Sequence, residues 1–408
     1  MSLHLALLLS VFGALLLVAV RLDVIAARRR IPGILLVLLL GLFIRNDTYA
    51  QSLGVQQLLS LHQAEQLTQI ALVLVLFFGG LTTNWHEISP VLRPSLRLAT
   101  FGSLLSAVLI TGLVLLLGAL PATTVTPDLP VALFIGAMLC STDASAVLSL
   151  LRPLAGVLPR RLLDLLESES SLNDPMAVVL AGLALAMATG TAEASPTHLL
   201  VEVLREFLIG ILLGFLGGSL APALLRSRHP TGPQSLLAVA SLAVLMLLVG
   251  GTELLGGSGI LAAYIAGLVL GNSEACDRAV LEEAHAGFVK LAELLLFLCL
   301  GLVVRPEDVV ALIGWALTLF LALLLVRWLM VEVVLIGCGF PRAERWLISF
   351  SGLRGAVPIA LAIQAGATDV PWGDAMPPLA LGVVLLGLVL QGVSLVPVAR
   401  RLGLASPH

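Results

Sequence analysis

The 408-residue sequence has few charged residues, and this scarcity excludes most classes of soluble protein. Charged residues make up 12% of the chain and hydrophobic residues 59%, whereas soluble globular domains carry about 25% charged residues. A large soluble catalytic domain therefore has no place in this chain. The composition indicates an integral membrane protein with a function inside the membrane, and we do not expect an enzyme.

Motifs for several ligands are also missing. The net charge is -3 and the longest basic run is Arg28-Arg29-Arg30, which excludes a nucleic-acid interface. Lys290 is the only lysine and no GxxxxGK motif occurs, so no nucleotide site is expected and transport would be driven by an ion gradient. The four cysteines form no CxxC pair, and we expect neither a disulfide nor a cofactor.

Long apolar runs fill most of the chain. A helix needs about 20 apolar residues to cross a bilayer, and the runs predict an all-α polytopic membrane protein with about thirteen transmembrane helices. The predicted spans are approximately 3–20, 31–44, 67–83, 98–120, 129–151, 162–188, 207–225, 235–252, 258–271, 288–304, 309–338, 346–366 and 376–398. Residues 1–398 would form one transmembrane unit, and residues 399–408 a short tail.

The basic residues are distributed unequally between the two sides. Seventeen of the 22 Lys and Arg residues lie on the side that follows the odd-numbered spans, whereas the other side has Arg45, Arg205 and Arg305. Because basic residues concentrate in cytoplasmic loops, we expect the N-terminus outside and the C-terminus in the cytoplasm.

The two short spans resemble each other. PGILLVLLLGLFIRN, from Pro32 to Asn46, matches SGILAAYIAGLVLGN, from Ser258 to Asn272, at six of fifteen positions. Chance similarity between two Leu- and Gly-rich helices is one interpretation. The other is an inverted-topology repeat, common in secondary transporters, that relates helices 1–6 to helices 8–13.

Four ionisable residues fall deep inside predicted spans: Asp143, Glu169, Asp174 and Arg354. Each costs about 2.5–3.5 kcal/mol to insert at the centre of a bilayer, so such residues are candidates for function. Three carboxylates against one guanidinium leave at least one carboxylate without a fixed partner.

The sixth span contains the densest polar cluster, in the sequence LLESESSLNDPMAV. At about 100° per residue, Glu169, Ser170, Asn173 and Asp174 share one face of a helix. Pro175 follows and cannot donate a backbone hydrogen bond, which loosens the helix beside the acid. Oxygen donors without Cys or His suit a hard cation and not zinc.

The fifth and twelfth spans carry helix-breaking residues. LCSTDASAV contains Asp143, and SGLRGAVPIALA contains Gly352, Gly355 and Pro358 around Arg354. We expect both helices to be broken, with half-helix ends whose partial charges Asp143 and Arg354 neutralise.

The strings STDASAV, ESESSLNDPMAV, GSGILAAYIAGLVLGN and SGLRGAVPIALA resemble the membrane domain of the monovalent cation/proton antiporter 1 family. Those proteins are NhaP-type sodium or potassium/proton exchangers, and the first two strings are closest to the CvrA-type potassium/proton branch. The resemblance implies a homodimer in a bacterial inner membrane. It places core helices at about 67–188 and 288–398, with broken helices 5 and 12 crossing, and dimer or scaffold helices at about 1–45 and 207–271.

The resemblance also implies roles for individual residues. Asp174 would bind a monovalent cation and a proton in turn, with Ser170, Glu169 and Thr142 as further ligands. From the count of charges at the site, and not from the resemblance, we expect electroneutral exchange of one cation for one proton. Asn173 would brace Glu169, and Arg354 would pair with an acid in the core.

Arg327, in the eleventh span, aligns with a family arginine, but its neighbours differ from the family pattern. We expect it to be a structural residue that snorkels or pairs with Glu332.

A sodium-coupled organic anion symporter or a cation channel on a similar fold is the alternative function. The choice among potassium, sodium and lithium depends on cavity geometry and stays open, as do the pH optimum and the direction of flux.

Overall fold

The computed structural model describes residues 3–29, 31–44, 58–119, 127–190, 196–225, 234–274 and 277–404. All regular structure in these ranges is helical, because a helix satisfies its own backbone polar groups in a medium without water. Arg45 and Asn46, used above for the orientation and the repeat, lie outside the described residues, as do Arg30, Arg226 and Arg228. Residues 405–408 of the expected tail also lie outside them.

Fifteen helices of eight or more residues occur in the described ranges. In the first half of the chain they are α1 (Leu3–Arg29), α2 (Gly33–Ile44), α3 (Leu61–Thr82), α4 (Leu92–Gly118), α5 (Leu129–Met138), α6 (Ala144–Leu151) and α7 (Arg160–Ala188). The others are α8 (Pro196–Leu225), α9 (Gln234–Leu254), α10 (Gly259–Gly271), α11 (Arg278–Val303), α12 (Ile313–Val334), α13 (Arg342–Phe350), α14 (Ala356–Ala367) and α15 (Gly373–Arg401).

Nine of these helices, within the described residues, are long and apolar enough to cross a membrane: α1, α3, α4, α7, α8, α9, α11, α12 and α15. Helices α2, α5, α6, α10 and α14 are shorter and also apolar. The prediction of an all-α polytopic membrane protein is therefore confirmed.

The fifth and twelfth predicted spans are each interrupted. The first divides into α5 and α6, and the second into α13 and α14. The two interruptions lie against each other, since the Asp143 amide donates to the Leu353 carbonyl at 2.8 Å. Backbone groups that lose their helical partners at one interruption thus find partners at the other, as a bilayer requires.

Close backbone contacts join a group of helices around α3. A Cβ atom added at Gly80 would lie 2.1 Å from the Tyr264 carbonyl oxygen, and one added at Gly301 would lie 2.4 Å from the Leu38 carbonyl oxygen. Glycine at these positions lets α3 approach α10, and α11 approach α2. We expected α3 and α11 in the core group. Instead, α3 packs extensively on α10, and α11 packs extensively on α2.

A second group contains α4, α5 and α7, which pack on one another, and α12, which packs on α13, α15 and α4. Helix α14 contacts α7 and α5 of this group and also α3 and α11 of the first. The two groups meet along α7, α14 and the α5–α6 interruption on one side, and α3, α10 and α11 on the other.

Candidate cation site

Asp174 lies in a cavity of about 200 Å³ between the two helix groups. Its carboxylate accepts a hydrogen bond from the Ser141 hydroxyl at 2.6 Å. Other walls come from α3, α10, α11 and the start of α14. The carboxylates in the lining are those of Asp143, Glu167, Asp174 and Glu293, and the hydroxyls belong to Thr82, Ser141, Thr142, Ser145, Ser170, Ser171 and Tyr264.

The lining of this cavity contains no Arg, Lys or His among the described residues. Carboxylate and hydroxyl oxygens are the donors that hard cations prefer. The arrangement can therefore hold a cation or a proton at Asp174.

The helical repeat of α7 places three of these groups in one row. Glu167, Ser171 and Asp174 are spaced i, i+4 and i+7 and so share a face. Pro175 lies inside the helix and has no N–H to donate to the Ser171 carbonyl. That carbonyl oxygen is left without its usual helical partner one turn before Asp174.

Hydrogen bonds fasten the α5–α6 interruption to α7. The Ser170 hydroxyl donates to the Thr142 carbonyl at 2.5 Å and accepts from the Ala144 amide at 2.8 Å. The Asn173 side-chain amide donates to the Thr142 hydroxyl at 2.9 Å. Asn173 therefore braces the interruption, and our prediction that it braces Glu169 is wrong.

Asp143 begins α6 as its N-terminal cap. Its Oδ1 atom accepts from the Ala146 amide at 3.0 Å and from the Ser145 hydroxyl at 2.7 Å. Because a helix N-terminus carries a partial positive charge, this position offsets the negative charge of the carboxylate. The expected role of Asp143 at a half-helix end agrees with this geometry.

Glu169 and Arg327 form a buried ion pair. Both guanidinium nitrogens of Arg327 donate to the two carboxylate oxygens of Glu169, the Nη2–Oε2 distance being 2.7 Å. The Arg327 side chain is 4% exposed and the Glu169 side chain is 2% exposed. The expected partner of Arg327, Glu332, pairs instead with Arg345 at 3.3 Å, so that prediction is wrong.

Arg354 lies at the contact between the two interruptions, fully enclosed. Its Nη1 atom donates to the carbonyl oxygens of Cys140 and Ser141, at 3.0 and 2.5 Å. These carbonyls follow the end of α5, where a helix carries a partial negative charge. The ion pairs of the described residues do not include Arg354, and the prediction that it pairs directly with an acid is wrong.

The structure thus divides the predicted site residues into two sets. Asp174, Asp143, Thr142 and Ser170 line the cavity. Glu169, Asn173, Arg327 and Arg354 lie outside its lining and hold the surrounding helices together.

The cavity residues that were not predicted include Ser141, Glu167 and Glu293. Ser141 directly precedes Thr142 and Asp143, which were singled out, so its position in the sequence pointed to it. Glu167 lies seven residues before Asp174, so helical spacing pointed to it. Glu293 comes from α11 and lines the cavity, with Lys290 3.6 Å away.

Comparison with known proteins confirms the resemblance. Residues 12–401 match the model of the sodium/hydrogen exchanger transmembrane family. The chain is 35% identical over 394 residues to the K(+)/H(+) antiporter NhaP2 of Shewanella sp. (strain ANA-3), covering 95% of this chain and 66% of that protein. It is 29% identical over 357 residues to the Na(+)/H(+) antiporter ApNhaP of Aphanothece halophytica, covering 83% and 65% of the two chains.

The fold has a counterpart among solved structures. The structure of the sodium proton antiporter MjNhaP1 from Methanocaldococcus jannaschii superposes with a TM-score of 0.81 at 24% identity, covering 98% of this chain and 99% of that chain. The chain spans about two thirds of the length of the curated relatives named above. Since the family model covers nearly the whole sequence, the chain belongs to the transmembrane sodium/hydrogen exchanger family.

Proposed function

We propose that this protein is a secondary active transporter that exchanges K⁺ or Na⁺ for protons by alternating access. The observation that carries the proposal is the position of Asp174, a carboxylate in a cavity whose lining has no basic side chain among the described residues. The printed names of the relatives, K(+)/H(+) and Na(+)/H(+) antiporters, describe the same chemistry.

The charges near Asp174 favour exchange of one cation for one proton. The core contains two guanidinium groups, Arg327 and Arg354, and three carboxylates, Asp143, Glu169 and Asp174. Glu169 is bound to Arg327, Asp143 caps α6, and Arg354 lies within electrostatic range of Glu169. Among these three carboxylates, Asp174 is the one left to change partners, and one cation or one proton neutralises it.

Neutralisation of Asp174 also explains why the two ions would be coupled. A charged carboxylate is costly to carry through the low-dielectric interior, whereas a carboxylate that holds a proton or a cation is neutral. The Ser141 hydroxyl and the oxygens around Thr142 would supply further ligands to the cation. The protein would therefore change conformation with either ion bound and not with the site empty.

A second cavity supports alternating access. It has a volume of about 440 Å³, and its lining includes Gln69, Val178, Glu253, Ser258 and Gln364. Val178 follows Asp174 by one turn of α7, and Gln69 lies near the opposite end of α3 from Thr82. We infer that rocking of the two helix groups closes the cavity at Asp174 on one side and opens it toward this second cavity.

We also propose that the chain crosses the membrane thirteen times, with the α5–α6 pair and the α13–α14 pair each forming one crossing. The first six predicted spans would be related to spans 8–13 by an inverted repeat. The protein would be a homodimer in a bacterial inner membrane with a cytoplasmic C-terminus. Helices α3 and α11 would move with the scaffold, since they pack on α2 and α10.

The test is ion exchange in proteoliposomes that contain a pH-sensitive dye, with K⁺, Na⁺ and Li⁺ added separately. We expect cation-dependent proton movement in the wild type, none in Asp174→Asn, and partial activity in Asp174→Glu. Asp369→Asn, an exposed aspartate outside the cavity, is the matched control and should retain activity.

Substantial coupled exchange in Asp174→Asn would refute the mechanism. Cation flux without proton movement would instead indicate a cation channel, or a sodium-coupled symporter if that flux requires an organic anion.

A further inference from the structure

Glu167 is a cavity carboxylate for which the proposed exchange mechanism has no role. It lies on the same face of α7 as Ser171 and Asp174, about 10 Å from Asp174 along the helix axis at 1.5 Å per residue. The row of oxygens therefore runs from Glu167 through Ser171 to the proposed exchange site.

The end of the cavity near Glu167 lies beside exposed charged side chains. Glu167 lies two turns from the start of α7, where the Arg160 side chain is 75% exposed and the Glu87 side chain is 48% exposed. A cation that approaches from this face meets Glu167 before it meets Asp174.

The basic residues nearest to Glu167 are engaged by other acids. Arg160 contacts Glu87 at 3.0 Å and Asp164 at 3.6 Å. Arg278 contacts Glu282 at 2.5 Å and also donates to the Thr82 carbonyl. In the described part of the chain Glu167 has no ion-pair partner of its own, so its negative charge acts on the cavity.

From this geometry we infer that Glu167 is an access residue: it attracts the cation into the cavity from the face where α7 begins and passes it along the Ser171 hydroxyl to Asp174. The inference rests on the proposed exchange function. It assigns Glu167 a role in cation capture and none in the change of conformation.

The inference predicts a change in KM and not in the maximal rate. Glu167→Gln removes one unit charge about 10 Å from Asp174, which by Coulomb's law at an effective dielectric constant between about 80 and 20 weakens cation attraction about 2- to 16-fold. The KM for the cation should rise by this factor when the cation is presented at the face where α7 begins. It should stay unchanged from the opposite face, and the maximal rate should equal that of the wild type.

The measurement uses everted and right-side-out membrane vesicles, with exchange followed at a series of K⁺ and Na⁺ concentrations. Glu283→Gln is the matched control, because Glu283 is exposed near the start of α11 and does not line the cavity; its KM should equal that of the wild type. Glu167→Asp retains the charge and should stay close to the wild-type KM. If Glu167→Gln does not fold, Glu167→Ser takes its place, since it also removes the charge and keeps a polar side chain.

The two proposals fail in different ways. Wild-type protein without coupled exchange would refute the proposed function. Wild-type exchange with an unchanged KM in the neutral variant, or an equal loss from both faces through a lower maximal rate, would overturn only the role of Glu167.

Discussion

The Glu169–Arg327 pair allows a quantitative test of how the core is held together. Arg327→Met leaves the Glu169 carboxylate buried without its bidentate partner. With side-chain exposures of 4% and 2%, water cannot replace the lost contact, and breaking such a pair costs about 3–5 kcal/mol.

The position of Arg354 refines this expectation. Arg354 lies within electrostatic range of both Arg327 and Glu169, so it continues to offset Glu169 after Arg327 is replaced. Arg327→Met should therefore destabilise the protein by about 3 kcal/mol, at the low end of the range for a broken buried pair. Glu169→Gln should cost more, about 4–5 kcal/mol, because it leaves two buried guanidinium groups without a carboxylate.

The assay is a double-mutant cycle for the free energy of unfolding, measured by SDS titration in mixed micelles. Trp328 follows Arg327 directly and packs against Trp346 with ring centroids 6.2 Å apart, which provides a fluorescence signal close to the change. The double variant Glu169→Gln/Arg327→Met should be more stable than the sum of the single effects predicts, by about 2–3 kcal/mol.

The Glu332–Arg345 pair is the matched control. Both of its side chains are 24% exposed and the contact distance is 3.3 Å, so Arg345→Met should cost less than about 1 kcal/mol. If Arg327→Met is as mild as this control, or if the two substitutions add to within about 0.5 kcal/mol, the ion pair does not hold the core together as argued.

Three further predictions concern the interruptions and the stoichiometry. Arg354→Ala should reduce both stability and exchange, because the carbonyls of Cys140 and Ser141 lose their hydrogen-bond donor, at a cost of about 1–3 kcal/mol each. Arg354→Lys should recover only part of the loss. A stable and fully active alanine variant in the same titration and exchange assays would contradict this. Gly355→Ala should impair exchange and weaken the α6 cap by about 1 kcal/mol, since the added Cβ atom would lie 1.8 Å from Asp143 Oδ2. The control, Gly314→Ala, has nothing within 4 Å of its Cβ position and should behave as wild type. Equal activity of the two variants would refute the argument. Exchange should be electroneutral, so its rate in proteoliposomes with an ionophore-clamped potential should not change with voltage; a reversal point that indicates two protons per cation would mean that a second carboxylate also cycles.

Much of the fold could be predicted from the sequence because the bilayer restricts a chain so strongly. Apolar runs identify helices directly, and every predicted span coincides with one helix or with a pair of short helices in the structure. The interruptions were also predictable, since Gly352, Gly355 and Pro358 disfavour a continuous helix at the charge they surround.

The sequence was least informative about partners distant along the chain. Arg327 and Glu169 are 158 positions apart, whereas Glu332 is only five positions from Arg327 and was the more obvious local partner. The carbonyls that Arg354 contacts are more than 200 positions away, and backbone carbonyls have no signature in a sequence.

By itself, the sequence determined that this protein is an all-α membrane protein, and it singled out Asp174, because hydrophobic runs and helical spacing are local properties. Only the tertiary structure decided which carboxylates carry a free charge. Arg327 neutralises Glu169 outside the cavity lining, whereas packing of α11 on α3 brings Glu293 into the same cavity as Asp174. The physical reason is that the state of a buried charge depends on the groups within a few ångströms of it, and those groups come from helices that the chain brings together only when it folds.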